Sequence, residues 1–296
     1  MLLIDPDAIA AFSNGDLVDN STTANWKIHD DSIALAGFLA AATSFGPQTR
    51  YLATLGNHDL GFPTPLADWL TPWNQHLPGQ LPPTNADAGQ PDTGHNGTDG
   101  VYYAVTYANT LFIMLDSEHV STNQTNWLKT LLSGADAQSA QVKLAFFHEP
   151  VYPCTNFHGP RADELPWVDL FEKNGVRLAF VSHLHTYERT CRMIRGTCKT
   201  DGTGVTYQQL GPLGASDFRA EDRTGTTNVT GTDSTGAART DSYSCTGTNG
   251  IILKSNVNVN TFSHVRVSGC RVIGDSYVVT TGGTNPFDSW EVNGCE

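Results

Sequence analysis

The sequence has few basic residues. It carries 17 Lys and Arg residues against 30 Asp and Glu residues, so its formal net charge at pH 7 is −13. A surface of this charge repels polyphosphate backbones, which argues against a general nucleic-acid-binding protein. The sequence also lacks a run of the roughly 20 apolar residues that a membrane-spanning helix needs. It does not open with the positively charged, apolar pattern of a secretion signal.

Cysteines are present, but no two of them form the C-x-x-C pair that is typical of a zinc ribbon. They lie in polar, turn-rich surroundings, and we therefore predict up to three disulfides. Cys191 and Cys198 flank a short turn-like stretch and are candidates for a local pair. The alternative is a set of six free thiols in a cytosolic protein. The cysteines are Cys154, Cys191, Cys198, Cys245, Cys270 and Cys295.

Disulfides favour a secreted or periplasmic protein, because thiols stay reduced in the cytosol. The chain contains no segment that would export it. We therefore expect that residues are missing in front of Met1.

The alternation of apolar and turn-forming segments predicts a mixed α/β fold. A length of 296 residues suits one large domain or two small ones, and we predict a single domain spanning 1–296. Helices are predicted over 30–45, 123–134 and 165–173, and a hairpin is predicted from 101–107 and 111–115. Residues 61–100 are rich in Pro, Gly and Asn and are predicted to form a surface excursion. Residues 224–249 have almost nothing to bury and are predicted to be a long polar loop.

Residues of metal-ligand type follow four predicted strands, at the point where each strand ends. They are Asp16, the tripeptide Asn57-His58-Asp59, His148, and His183 with His185. Ligands of mixed α/β sheets bind beyond the carboxyl ends of the strands. Four such ends in one sheet would converge on one crevice, and the pattern therefore predicts a metal site.

Four segments resemble the motifs of the calcineurin-like metallophosphoesterases and occur in that family's order. The Tyr-Glu-Arg extension and the His-x-Pro-x-Tyr pattern resemble the purple acid phosphatase branch. The segments are Gly15-Asp16-Leu17-Val18-Asp19, Gly56-Asn57-His58-Asp59, residues 147–152 and residues 182–189. The resemblance implies an α/β fold in which two mixed sheets form a β-sandwich flanked by helices.

The sequence departs from the family pattern at three points. Asp19 stands where the purple branch has Tyr, which argues against a purple iron–tyrosinate centre, and Ser182 replaces the usual Gly. The family's first motif, Asp-x-His or Asp-x-Gly on the first strand, is absent, so we expect the fold to lack that strand. Asp5 and Asp7 do not replace it, because nine extended residues span roughly 30 Å and place Asp7 at the wrong end of the sheet.

Two explanations of the absent motif stay open. Either the sequence is truncated relative to its natural product, or this family member has lost its second metal. Truncation is favoured, because the export signal and the first strand are missing at the same place. On that interpretation the activity of this chain is impaired.

The resemblance implies that Asp16 bridges two transition metal ions, for which Fe, Zn and Mn are candidates. Asn57, His148 and His183 complete one site. His185 helps to hold the other ion, whose site is incomplete without the missing motif.

The resemblance also implies roles in catalysis. His58 is expected to protonate the leaving group or to stabilise charge in the transition state, with Asp59 orienting its ring. Asp19 is expected to lie behind the metal ligands. The residues expected to line the substrate pocket are Tyr152, Tyr187 and Arg189. For Arg189, a structural ion pair with an acidic residue is an equally weighted alternative.

The expected function is metal-dependent hydrolysis of small phosphate esters, in the first place phosphomonoesters, by a hydroxide that bridges the metals. The alternatives are a phosphodiesterase or nucleotide pyrophosphatase, and a metal-depleted protein that binds a phosphorylated ligand. No nucleic-acid partner and no membrane span are expected, and the sequence indicates no protein partner.

Overall fold

The computed structural model describes residues 10–19, 24–25, 27, 50–59, 102–156, 158–212, 223–256, 259–279 and 285–295. The predicted helix at 30–45 and the predicted surface excursion at 61–100 lie outside these residues.

In the described part of the chain, strands outnumber helices. The strands are β1 Ala10–Asn14, β2 Arg50–Thr54, β3 Tyr103–Tyr107, β4 Thr110–Met114, β5 Val142–Phe146, β6 Leu178–Val181, β7 Tyr187–Thr190, β8 Met193–Ile194, β9 Thr197–Cys198, β10 Thr206–Gln209, β11 Thr226–Thr232, β12 Ala238–Ser244, β13 Ile252–Asn256, β14 Thr261–Ser268, β15 Arg271–Val278 and β16 Asp288–Asn293. The helices are α1 Thr122–Ser133, α2 Ala135–Ser139 and α3 Leu165–Asn174, and a 3₁₀ turn covers Ala162–Glu164.

A seven-stranded mixed sheet forms the centre, in the order β13-β7-β10-β6-β5-β4-β3. Strands β4, β5, β6 and β10 run parallel, whereas β3, β7 and β13 pair antiparallel with their neighbours. The predicted hairpin is confirmed as the β3–β4 pair. The mixed, layered arrangement confirms the predicted α/β fold class.

The inner strands β4 and β6 are buried along their whole length, and apart from Thr110 they are apolar, as expected for strands that are covered on both faces. In β4, Leu111 and Ile113 belong to one core, while Phe112 and Met114 belong to the other. The first core also contains Trp167 of α3, and the second contains side chains of β15 and β16. Helices therefore cover one face of the sheet, and the β14-β15-β16 sheet covers the other.

The predicted helices at 123–134 and 165–173 are confirmed as α1 and α3, and local signals set their ends. At the start of α1, the Ser121 hydroxyl accepts a hydrogen bond from the backbone N–H of Gln124. Leu128 and Leu132, one turn apart, turn to the core. Helix α3 ends at Gly175, whose φ of 73° is left-handed.

Strands β1 and β2 pair in parallel as a separate two-stranded sheet. The ring of Phe12 in β1 stacks on Phe146 of β5 and on Phe112 of β4, with centroid distances of 4.5 and 5.2 Å. These contacts hold β1 against the second face of the central sheet. The ends of β1, β2, β5 and β6 then meet in space.

The prediction of a long polar loop at 224–249 is wrong, because β11 and β12 form an antiparallel hairpin there. Alternate residues of β12, namely Arg239, Asp241 and Tyr243, are buried. The turn is closed by Asp233, whose carboxylate accepts hydrogen bonds from the backbone N–H groups of Thr235 and Ala237. The hairpin buries the charged side chains of Arg239 and Asp241 beside the apolar Val229 and Tyr243, and a search for apolar patterns therefore missed it.

The guanidinium of Arg239 is fully buried among three carboxylates. It donates two hydrogen bonds to Asp241, at 2.8 and 2.7 Å, and one to Glu172 at 2.9 Å. A longer contact of 3.3 Å reaches Asp169 on α3. The hairpin is thus anchored to α3 by a buried charge network.

All six cysteines are paired, as Cys154–Cys245, Cys191–Cys198 and Cys270–Cys295. The predicted local pair and the predicted number of three disulfides are confirmed. Among the described residues, no helix has both the length and the apolar character needed to cross a membrane.

The buried network predicts a large loss of stability when its central cation, Arg239, is removed. Arg239→Ala leaves three carboxylates without their common partner, and we expect the free energy of unfolding to fall by about 3–5 kcal/mol. Urea unfolding followed by circular dichroism measures it. The matched control is Arg271→Ala, which removes an exposed pair with Glu291 and should leave stability close to wild type. Equal losses in both variants would contradict the anchoring role.

Candidate metal centre

Two glycines in close contact bring the first two predicted loops together. A Cβ on Gly15 would lie 2.5 Å from the backbone nitrogen of Gly56, and a Cβ on Gly56 would collide with the backbone and carboxylate of Asp16. Gly15 also has a left-handed φ of 87°. Only glycine fits at these positions, which gives a physical reason for both glycines in the predicted motifs.

Four side-chain atoms from four loops converge at one point. The Nε2 atom of His148 lies 3.2 Å from Asp16 Oδ2, 3.2 Å from Asn57 Oδ1 and 3.1 Å from His183 Nδ1. His183 Nδ1 lies 3.1 Å from Asn57 Oδ1. The structure therefore brings together four of the five residues that the sequence predicts as metal ligands.

The distances between these four atoms match those between neighbouring ligand atoms of a bound metal ion. Nitrogen and oxygen ligands about 2.1 Å from a transition metal lie roughly 3.0 Å apart at right angles and roughly 3.4 Å apart in a tetrahedron. The described part of the chain contains a group of acidic and histidine side chains that could hold a metal ion. It consists of Asp16, His148 and His183, and each contributes one ligand atom within 4.8 Å of the other two. The mixed N/O donor set fits Fe, Zn or Mn.

The backbone orients the ligand atoms. His148 Nδ1 donates a hydrogen bond of 2.6 Å to the carbonyl of Asn14, so in the neutral ring Nε2 carries the lone pair that faces the cluster. Asp16, His183 and His185 adopt left-handed φ angles of 51°, 70° and 52°. Such strain in non-glycine residues is typical of functional sites.

The charges of the cluster shift the pKa of each member. Burial raises the pKa of Asp16, but the charge and hydrogen bond of His148, together with the backbone N–H and charge of His58, outweigh burial and lower the pKa to about 2. Burial lowers the pKa of His148, but Asp16 raises it to about 9. Burial and the His148 charge lower the pKa of His183 to about 3, so that this ring is neutral, as a ligand must be.

Asp59 holds the two glycine loops together, and its predicted role in orienting the ring of His58 stays a prediction. Its Oδ1 accepts a hydrogen bond of 3.1 Å from the Val18 backbone N–H, and its Oδ2 accepts one of 2.9 Å from Gly56. Burial and the charge of Asp16 raise its pKa to about 7.

The ring of His58 is held by Asp19. His58 Nδ1 donates a hydrogen bond of 2.6 Å to the Asp19 carbonyl, and the backbone N–H of His58 donates one of 2.9 Å to Asp16 Oδ1. About two fifths of the His58 side chain is exposed, since its relative accessibility is 41%. Asp19 therefore supports His58 through its carbonyl, while its carboxylate is 84% exposed.

His185 lies two residues beyond His183 in the same loop and is half-buried. It does not belong to the group formed by Asp16, His148 and His183. Its role at a second metal stays a prediction.

The three residues predicted to line the substrate pocket take part in buried polar contacts. The Tyr152 hydroxyl donates to Asp241 in the Arg239 network at 2.6 Å. The Tyr187 hydroxyl donates to Asp288 at 2.8 Å, and Arg189 forms a two-pronged pair with the same carboxylate at 2.7 and 2.9 Å. Arg189 thus forms a structural ion pair with an acidic residue, which was the alternative to its expected place in the substrate pocket.

Two residues near the cluster were not predicted as site residues. Ser117 accepts two backbone hydrogen bonds from the His148 loop, and the ring of His158 packs on that of His183 with centroids 4.1 Å apart. Ser117 follows β4 within the same strand-end pattern that identified the ligands. Applying that pattern to β4 would have found it.

Comparisons with known proteins agree on the family to which this chain is similar. A family model for calcineurin-like phosphoesterases matches residues 4–187. Purple acid phosphatase 18 of Arabidopsis thaliana is 33% identical over 129 residues, which cover 42% of this chain and 28% of that protein.

Two solved structures share the fold. A purple acid phosphatase from yellow lupin (Lupinus luteus) seeds has a TM-score of 0.59 at 16% identity, covering 96% of this chain and 46% of that chain. The structure of PhoD has a TM-score of 0.57 at 12% identity, covering 96% and 64%. The matches span less than two thirds of the length of each of these three proteins.

The matched family model extends over more than half of the sequence and includes every residue of the ligand cluster. The chain belongs to the calcineurin-like phosphoesterase family, and within that family it is similar to the purple acid phosphatases.

Proposed function

We propose that this chain hydrolyses phosphate esters in a metal-dependent reaction, with phosphomonoesters as the substrate class. The supporting observation is the convergence of Asp16, Asn57, His148 and His183 on one point, with 3.1–3.2 Å between ligand atoms. The preference for monoesters rests on the similarity to a protein named as an acid phosphatase.

The four converging side chains would hold one cation, and Asp16 with His185 would contribute to a second. When bound, such cations neutralise phosphoryl oxygens and activate water for attack. They would also give a protein of net charge −13 a local positive site for an anionic substrate.

His58 is proposed to exchange a proton with the leaving group. Its Nδ1 donates to the Asp19 carbonyl, so Nε2 is the nitrogen that can carry a transferable proton. The backbone N–H of His58 also donates a hydrogen bond to Asp16, and this contact supports a role for His58 next to the cluster. Asp59 acts by joining the loops that carry Asp16 and Asn57.

We propose a secreted or periplasmic location. Three disulfides support it, because such bonds persist in oxidising compartments.

The central prediction is that hydrolysis of a chromogenic aryl phosphate requires the ligand cluster. A chelator, His148→Ala and Asn57→Ala should each reduce phosphate release to the background rate, because each removes the cation or one of its ligands. His264→Ala, on β14, is the matched control and should retain wild-type activity. Activity that survives chelation and both ligand variants would refute the proposal.

Gly56→Ala tests whether the glycine contact maintains the cluster. The added methyl group would push against Asp16, and we expect at least a tenfold loss of metal affinity, about the effect of disturbing the groups that orient metal ligands. Isothermal titration with Zn²⁺ measures it. A methyl group at Gly159 meets open space, so Gly159→Ala should bind like wild type. Similar affinities in both variants would contradict the role of the contact.

His58→Ala separates proton transfer from binding. General acid catalysis contributes about 10²- to 10⁴-fold, and it matters most for leaving groups that are poor without a proton. We expect kcat to fall far more for an alkyl phosphate than for p-nitrophenyl phosphate. An equal loss with both substrates would exclude leaving-group protonation by His58.

A further inference from the structure

We propose that Ser117 and Arg161 are positioning residues that fix the backbone of His148 in the metal centre. The inference rests on the proposed function, because it takes His148 to be a metal ligand. We call the assembly of Ser117, Arg161 and Glu149 the Ser117 clamp.

Ser117 lies just beyond the end of β4 and is fully buried. Its hydroxyl oxygen accepts hydrogen bonds from two consecutive backbone N–H groups, those of His148 at 3.1 Å and Glu149 at 2.9 Å. A hydroxyl oxygen has two lone pairs and can satisfy both donors. These two amides follow β5, where the strand pairing has ended, so Ser117 supplies the acceptor that a neighbouring strand would otherwise supply.

Arg161 joins the other two residues of the Ser117 clamp. Its Nη2 atom donates a hydrogen bond of 2.8 Å to the Ser117 carbonyl, and its Nη1 atom pairs with Glu149 Oε2 at 2.7 Å. One planar guanidinium therefore binds both the serine and the residue that follows His148. Asp163 accepts from Nε at 3.0 Å and fixes the plane of the group.

The other polar groups of His148 are also held. Its carbonyl accepts a hydrogen bond of 2.8 Å from the backbone N–H of Ser182, next to His183. Its Nδ1 donates to Asn14. The clamp adds hydrogen bonds to the His148 and Glu149 amides, so the backbone on both sides of the His148 side chain is held. A metal ligand has to be held within about half an ångström of its productive position.

The experiment compares Ser117→Ala and Arg161→Gln with Ser263→Ala and Arg266→Gln. The two controls remove a serine hydroxyl bond and an arginine ion pair on β14, in a different sheet. Each full-length variant is titrated with Co²⁺, and the d–d absorption reports affinity and ligand geometry. Amide hydrogen exchange of His148 and Glu149 is measured by NMR in the metal-free protein.

We expect both clamp variants to raise the Kd for Co²⁺ about 10- to 100-fold and to change the d–d spectrum. Exchange at the His148 and Glu149 amides should accelerate in Ser117→Ala. The controls should match wild type in all three readouts, even where they lower the melting temperature.

The proposal is overturned if folded clamp variants bind Co²⁺ within twofold of wild type. It is also overturned if the two amides keep their protection in Ser117→Ala. A wild-type protein that binds no Co²⁺ would instead contradict the proposed function, and amide exchange would then decide the clamp alone. Arg161→Gln acts from a partly exposed side chain, so it provides the test if Ser117→Ala does not fold.

Discussion

The site depends on holding atoms that carry lone pairs close together. A carboxylate oxygen, an amide oxygen and a ring nitrogen all lie within 3.2 Å of His148 Nε2, and such atoms repel one another unless a positive charge lies between them. The Asp16 carboxylate favours such a charge, and it raises the pKa of His148 to about 9 against the effect of burial. The surrounding fold keeps the arrangement in place through the Gly15–Gly56 contact, the loop bridge of Asp59 and the left-handed backbone of Asp16 and His183.

Much of this arrangement could be predicted from the sequence, because the ligands follow the ends of apolar strands. Short apolar runs in the sequence predict the strands β1, β2, β5 and β6. Because β5 and β6 are parallel neighbours, His148 and His183, which follow them, lie at the same edge of the sheet. The same logic did not extend to the partners of the ligands. The hydrogen bond from the His148 ring to the backbone carbonyl of Asn14 joins residues that are 134 positions apart. No side-chain pattern in the sequence indicates this bond.

Burial of polar side chains against one another was difficult to predict from the sequence. Tyr152, Tyr187 and Arg189 were expected to line the substrate pocket because of the family resemblance, with a structural ion pair as the equal alternative for Arg189. Their partners are Asp241 and Asp288, 89 to 101 positions away along the chain. For the same reason the segment with Arg239 was interpreted as a solvated loop, although its alternate residues lie in the core.

The Cys154–Cys245 bond joins the segment after His148 to the end of the β11–β12 hairpin, across 91 positions. In the chain-entropy description, a disulfide that closes a loop of about this length raises the free energy of the unfolded chain by about 4–5 kcal/mol. Once formed, the bond therefore keeps the segment after His148 near a hairpin that contributes none of the four converging side chains. A chain made under reducing conditions has to bring those side chains together without that restraint.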